Sequence, residues 1–304
     1  MKKVSIITIN YNGKLVTEEL LHSLQYINTY PNLEVVVVDN ASRENPVPEW
    51  QEKYPHYTFM RAEENEGFAA GNNLGIDAAT GDFLFFINND TIVTPTLIAQ
   101  MVEAMEANEK IGLLSPKIMY HEKPNIIQYC GFTPMNFYTC RNACIGQYEE
   151  DKGQYNAASG TTGYVHGAAM MARKEHIALV GKMPENFFLY YEEGDWCEMF
   201  KRKQLDIEVL TTAVIYHKES MAVGKNSVLK EYFITRNRIL FIRRNAWFYQ
   251  NFVFLLYFFL VVTPKKIIGF AIKCEWKFIV AFIQAVWWNL TNSRTSNFLY
   301  IPKY

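Results

Sequence analysis

The sequence has 304 residues, 49% apolar and 20% charged, which is ordinary globular usage and excludes wholesale disorder. Lys plus Arg total 30 and Asp plus Glu 31, a formal net charge of −1 that excludes a generally basic nucleic-acid binder. The balance hides an asymmetry. From Lys218 onward 13 basic residues stand against 3 acidic ones, whereas the first 217 residues carry 17 basic and 28 acidic, so the two parts face different partners. Five cysteines, at 130, 140, 144, 197 and 274, are too scattered for a disulfide framework, and the pair Cys140 and Cys144 has no second pair to complete a structural zinc site. Reduced thiols inside a cell are the simpler reading.

Val4–Ile9 is too short for a signal-peptide core and leads directly into the turn Asn10-Tyr11-Asn12-Gly13, so it reads as a first buried strand of an intracellular protein. Apolar spacing predicts a helix over Val16–Leu24. Four consecutive valines mark Glu34–Asp39 as a strand covered on both faces. A helix over Pro48–Tyr54, a strand over Tyr57–Arg61, a helix over 69–79, a buried strand over Asp82–Ile87 and a helix over Pro95–Ala107 follow. Such alternation predicts an α/β fold, a mostly parallel sheet flanked by helices, with ligands outside the carboxyl ends of the strands. Polar clusters fall at those ends: Thr8-Ile9-Asn10, Asp39-Asn40 and Asn88-Asn89-Asp90.

Tyr120–Tyr164 has little periodicity and reads as loops and short strands shaping a second half of the site. Regularity resumes at Gly167–Arg173, and Glu192–Lys203 reads as a helix with Trp196 and Phe200 inward. A strand pair at Ile207–Leu210 and Val214–Tyr216 leads into His217, and Leu229–Arg244 is a basic amphipathic helix. From Trp247 the composition changes, with 17 of the 46 aromatic residues in the last stretch. Phe252–Val262 is an apolar run of 11 residues, and Phe278–Trp288 is a second, broken only by Gln284. Neither reaches the roughly 20 residues of a comfortable span. With Lys265, Lys266, Lys273 and Lys277 between them, they suit a hairpin lying in a membrane interface. The other reading is a pair of helices covering the catalytic domain or a second copy in a homodimer.

Asp90, with Asn88 and Asn89 beside it at a strand end, suits a hard divalent cation that also binds substrate phosphates, although Asn and Asp are ordinary turn formers too. Asp39 is either an acceptor for a base N–H or the cap of the next helix. Gly67, Gly71 and Gly75, spaced by fours, allow a helix to lie close to the sheet and leave Asn65 and Asn72 to meet a ligand. Glu192-Glu193-Gly194-Asp195 follows the aromatic run Phe187–Tyr191, whose desolvation would raise a carboxylate toward general-base range; a helix N-terminus also favours such charge without any function. His217 is a metal ligand or a satisfied core histidine.

Taken in order, these segments resemble the inverting glycosyltransferases of family 2, of GT-A fold. The matching pieces are Val4–Asn12, Val37–Ser42, Asn65–Gly75, Phe86–Thr91, Gly167–Met171, Tyr190–Trp196 and Tyr216-His217, with Tyr232–Arg238 similar to the rhamnosyltransferase-like branch. Together they cover roughly residues 3 to 245. Two departures stand out: the Asp-x-Asp metal motif is Asn88-Asn89-Asp90, and the Glu-Asp acid pair is Glu192-Glu193.

The resemblance implies a GT-A domain over 1–245, with a nucleotide-sugar half at 1–120 and an acceptor half at 121–245, followed by a membrane-associating helical region at 246–304. It implies a nucleotide-diphosphate sugar donor held by Thr8, Asn10 and Asp39, with Asn65, Asn72, Asn88 and Asn89 nearby. Mn²⁺ or Mg²⁺ would sit on Asp90 and His217, and Glu193 would be the base, with Glu192 beside it and Asp195 the rival. The acceptor would be a glycan, free or lipid-linked, at the cytoplasmic face of the membrane in surface polysaccharide synthesis. The alternatives are a non-catalytic scaffold subunit of a polysaccharide assembly complex and a sugar nucleotidyltransferase. Asn10–Lys14 lacks the Gly-rich basic loop that the latter needs, and the absence of GxGxxG after any strand excludes a dehydrogenase.

Overall fold

Alternating apolar segments build the first half. In the computed structural model, which describes residues 1–218 and 227–300, Val4–Asn10 (β1) leads to Lys14–Tyr26 (α1), Leu33–Asp39 (β2), Val47–Lys53 (α2) and Thr58–Arg61 (β3). Phe68–Ala78 (α3), Phe83–Ile87 (β4), Thr91–Val93 (β5) and Leu97–Ala107 (α4) complete that half. The sheet continues with Ile111–Tyr120 (β6), Lys123–Tyr129 (β7), Gly160–Thr161 (β8) and Ala169–Arg173 (β9), which runs into Lys174–Val180 (α5). Glu192–Arg202 (α6), Asp206–His217 (β10) and Val228–Asn245 (α7) close the α/β body. Phe248–Tyr257 (α8), Thr263–Ile272 (α9) and Trp276–Thr291 (α10) form the C-terminal region.

The strand order is β3-β2-β1-β4-β9-β6-β10-β5, with β7 on β6 and β8 on β10. β3, β2, β1 and β4 are parallel, as the alternation predicts. Beyond β4 the sheet is mixed rather than mostly parallel: β9 is antiparallel to both β4 and β6, and β5 is antiparallel to β10. Helices cover both faces. Val35 and Val37 pack into one core with Leu20, Trp50 and Met101, while Ile7, Leu84 and Phe86 pack into the other with Trp196 and Phe200. The inward Trp196 and Phe200 are as the α6 pattern predicts.

Two expectations change. The strand pair at Ile207–Leu210 and Val214–Tyr216 is one strand, β10, whose pairing with β6 jumps from Leu210↔Pro116 to Val214↔Lys117. Pro116 has no N–H to continue the ladder, so three residues bulge out at that point. The second apolar run is not a free half of an interfacial hairpin: α10 lays Ala281, Phe282, Ala285 and Trp288 into the body, and Asn289 donates to the Arg236 carbonyl on α7.

Gly71 and Gly75 do what the glycine spacing predicts, whereas Gly67 precedes α3 with positive φ and packs against the Phe188 backbone. A Cβ at Gly71 would lie 3.0 Å from Ile9 Cδ1, and one at Gly75 would overlap Ile7 Cγ2, so α3 rests directly on β1.

Candidate active site

β1 and β2 pair in a register that puts Asn10 beside Asp39. Asn10 donates to Asp39 Oδ1 (2.7 Å) and Ser42 Oγ (3.0 Å), and its own Oδ1 accepts from Gly13 N–H and the Thr17 hydroxyl. The other Asp39 oxygen accepts from Arg61 Nη1 at 2.6 Å and from Ser42 N–H. Asp39 is fully buried, as is Thr8, whose hydroxyl oxygen has no partner among the described residues. Asn10 and Asp39 meet, Thr8 bonds to neither, and the carboxylate is wrapped by protein donors rather than presented as an open acceptor. Arg61, half-exposed at the end of β3, is the missed member; its signal is its register opposite Asp39.

Asn65 and Asn72 are each engaged by the protein through one side-chain group. Asn65 Oδ1 accepts from Asn40 Nδ2 (2.9 Å) and Gly67 N–H (3.0 Å), fixing the turn into α3. Asn72 is buried and donates back to the Phe68 carbonyl.

The motif after β4 sends its three side chains to different places. Asn88 donates its backbone N–H to the Ala168 carbonyl and leaves its side-chain amide without a protein partner among the described residues. Asn89 donates to Thr17 Oγ1 and so ties the turn to α1. Asp90 is buried, with Oδ1 3.1 Å from His217 Nε2. β5 brings them together, since Thr91 pairs with His217 across the antiparallel ladder. The second His217 nitrogen, Nδ1, lies 2.8 Å from Gln128 Oε1, an acceptor, so Nδ1 carries the proton in this assignment. Nε2 then carries the lone pair, close to Asp90 Oδ1, and neither atom is in line for a hydrogen bond with any group among the described residues.

Two buried, orphaned lone-pair atoms at this separation fit a shared cation. Among the described residues no cluster of three or more His, Cys, Asp or Glu could hold a metal, so a cation here would have two protein ligands and would take its other positions from substrate oxygens and water. His166, unnoticed in the sequence, lies edge-on to His217 at 6.1 Å. Its Nδ1 accepts from Ala168 N–H, and burial, reinforced by His217, pushes its pKa down to about 3. It is a neutral wall of the site at working pH.

The third part lies at the start of α6. Phe188, Tyr190 and Tyr191 all have positive φ, an arrangement that costs free energy unless its surroundings hold it. α7 supplies the hold. The Asn237 amide nitrogen donates to the carbonyls of Phe187, Leu189 and Tyr190 at 2.7 to 2.9 Å, and Arg236 donates to those of Asn186 and Phe187.

Glu192 is buried with Oε2 unpartnered among the described residues, and Glu193 is partly exposed. Burial raises both carboxyl pKa values, that of Glu192 furthest because Glu193 adds like-charge repulsion. A Cβ on Gly167 would lie 3.8 Å from Glu193 Cδ, and the next residue, Ala168, accepts from Asn88 N–H. The 166–168 turn therefore connects the pair Asp90 and His217 to Glu193. Asp195 is corrected as a rival base: it is fully buried, and its oxygens are taken by Arg244 Nε (2.9 Å), Arg244 Nη2 (2.7 Å) and Asn245 Nδ2 (2.6 Å). It joins α6 to α7.

The family model "Glycosyl transferase family 2" matches residues 5–177, more than half of the chain. The chain belongs to glycosyl transferase family 2. The match spans β1 through the start of α5 and so contains both the network of Asn10 with Asp39 and the Asp90 carboxylate of this family 2 domain. An uncharacterized glycosyltransferase of Haemophilus influenzae is 34% identical over 111 residues, 36% of this chain and 37% of that protein. The chain thus aligns with little more than a third of that relative's length.

The low-salt glycan biosynthesis hexosyltransferase Agl10 of Haloferax volcanii is 24% identical over 78% of this chain and 74% of its own. Among solved structures, a Pyrobaculum calidifontis mannosyltransferase in complex with GDP-Man and Mn²⁺ superimposes with a TM-score of 0.57 at 17% identity, covering 96% of this chain and 76% of that one. Staphylococcus aureus TarS 1–349 in complex with UDP-GlcNAc gives 0.58 at 19%, covering 93% and 81%. These neighbours establish the GT-A type fold for this family 2 chain.

Proposed function

We propose that the chain is a metal-dependent inverting glycosyltransferase that moves a sugar from a nucleotide-diphosphate donor to a glycan or lipid-linked glycan in surface polysaccharide synthesis. The observation that carries this reading is the orphaned pair of Asp90 Oδ1 and His217 Nε2, joined through the 166–168 turn to a partly exposed glutamate of raised pKa. That fold neighbours were solved with nucleotide sugars and Mn²⁺ supports the donor class and the cation. The similarity of Tyr232–Arg238 to the rhamnosyltransferase-like branch favours rhamnose as the sugar.

Asp90 and His217 would hold Mn²⁺ or Mg²⁺, which when bound neutralises charge on the departing diphosphate. Asn88, with its amide unpaired among the described residues, would meet a donor oxygen. Asn10, Asp39 and Arg61 form the nucleotide side, reached where Arg61 is half-exposed. Glu193 would accept the proton of the acceptor hydroxyl as its oxygen bonds the anomeric carbon and the bond to the diphosphate oxygen breaks on the opposite face. One displacement inverts the configuration, and no sugar–enzyme bond forms.

The test is sugar transfer, or donor hydrolysis, with Mn²⁺ added. Asp90→Ala should abolish turnover while thermal unfolding stays cooperative. Full activity of Asp90→Ala, or of the wild type in excess chelator, would sink the metal-dependent mechanism.

A further inference from the structure

α8, the five-residue π-helical segment Phe258–Val262 and α9 run as one 25-residue helix, long and apolar enough by composition to cross a membrane. Phe254, Phe258 and Val262, spaced by fours, are the stripe that it buries against the body. The neighbouring stripe, Tyr257, Val261, Lys265, Gly269 and Lys273, lines a pocket of about 480 Å³ whose other side is formed by Arg141 and by Arg238 of α7.

Five cations line this pocket: Arg141, Arg238, Lys265, Lys266 and Lys273. Only Lys266 has a carboxylate partner among the described residues, Glu231 at 2.6 Å. Arg238 donates from Nη2 to the Thr139 carbonyl, and its Nε–H has no acceptor among the described residues. The remaining wall, Tyr257, Val261 and Phe270, is apolar and continuous with an exposed apolar face that includes Leu256, Leu260 and Ile268. A cluster of five cations, four of them without a carboxylate partner among the described residues, against an apolar wall suits a ligand whose charge is a phosphate and whose remainder is hydrocarbon.

We infer that this pocket binds the phosphate or diphosphate head group of a lipid-linked acceptor, with the hydrocarbon chain along the exposed face of α8 and α9. The inference rests on the sugar-transfer reading and names its acceptor class. The pocket is well placed for that role. Arg238 follows Asn237, which holds the backbone leading to Glu192 and Glu193, and Cys140 Sγ lies 4.0 Å from the Tyr191 hydroxyl and 3.8 Å from the Arg238 carbonyl. The head group and the base-bearing segment are thus joined through one short run of α7.

The full chain is titrated with neutral phosphatidylcholine vesicles doped with a long-chain polyprenyl diphosphate, and with vesicles carrying phosphatidylglycerol at matched total charge. Polyprenyl diphosphate should be preferred roughly tenfold or more. A triple variant combining Arg141→Gln, Lys265→Gln and Lys273→Gln should lose that preference, because those three cations hold no carboxylate among the described residues. Gly269→Leu should also lose it, since a side chain there meets open space and fills the pocket without changing charge. Equal binding to both vesicle types, preference retained in either variant, or full competition by inorganic diphosphate at the concentration of the lipid would each overturn the inference. A nucleotide-sugar thermal shift, unchanged in both variants, keeps this outcome separate from failure of the sugar-transfer reading.

Discussion

Glu192 and Glu193 are adjacent carboxylates in unlike surroundings, and the difference predicts separate phenotypes. Glu193→Gln keeps size and polarity but cannot take the acceptor proton, so kcat should fall on the order of 10²–10⁴-fold while the donor still raises Tm. Unchanged turnover would remove Glu193 from the base role. The wild-type acid limb of the pH–rate profile should lie above the usual glutamate value of 4.5, because burial raises the pKa and the base works only when ionised. Glu192 answers to stability. Its folded-state pKa is raised well above the ordinary value, so its favourable contribution is complete at low pH and is lost as pH rises through the folded pKa. Glu192→Gln should therefore raise Tm at pH 8, by on the order of a few degrees, and change it little at pH 5. A gain of equal size at both pH values would show that the buried charge is not the cause.

At the scale of elements, α7 is the part that organises the site without reaching the reacting atoms. Asn237→Asp keeps the volume but turns an amide that donates to three carbonyls into a group that repels them. Unsatisfied buried polar groups cost about 1–3 kcal/mol each, and a displacement of about 1 Å at a catalytic group costs on the order of 10² in rate. Asn237→Asp should lose several degrees of Tm and about 10²-fold in kcat, with the donor thermal shift retained. A variant that loses stability but keeps kcat would reduce Asn237 to a packing residue.

This clamp shows where sequence reasoning stops. The first four strands of the parallel half, the glycine stripe and the strand-end polar clusters are legible because periodicity and turn chemistry are local. Asn237 meets Leu189 and Tyr190 across nearly 50 positions, Gln128 orients His217 across 89, and Arg61 covers Asp39 through strand register; no spacing rule reports such pairs. β6 is hidden for another reason: Ser115, Pro116 and Lys117 interrupt the apolar run, yet all three sit in the strand, Lys117 buried against Asp151. Asp195 misleads because its partners, Arg244 and Asn245, come from an element whose packing the sequence does not reveal.

For the whole molecule, the charge asymmetry and the C-terminal helices together predict attachment to an anionic membrane surface, which would put the enzyme on the cytoplasmic face. Phe248, Phe252, Leu256 and Leu260 are exposed on one side of the 25-residue helix, and Trp276, Val280, Ile283, Trp287 and Leu290 form an exposed stripe on α10. Lys273 and Lys277 lie at the junction of the two helices. Each basic residue close to an anionic leaflet contributes about 1 kcal/mol, which salt screens, whereas burying apolar faces contributes about 25 cal/mol per Å² and is not screened. Binding to phosphatidylglycerol vesicles should therefore weaken in high salt but persist. Removing everything after Asn245 is a poor test, because it would strip α10 from α7 and expose the shared core against which Phe282 and Trp288 pack. A variant combining Phe252→Ser, Leu256→Ser and Leu260→Ser changes only exposed positions and leaves the buried stripe Phe254, Phe258 and Val262 intact. In vesicle co-sedimentation this variant should keep its low-salt binding in part and lose the salt-resistant fraction. If the wild type stays in the supernatant, or the triple variant pellets equally in high salt, these faces cover something other than a bilayer and the surface attachment fails.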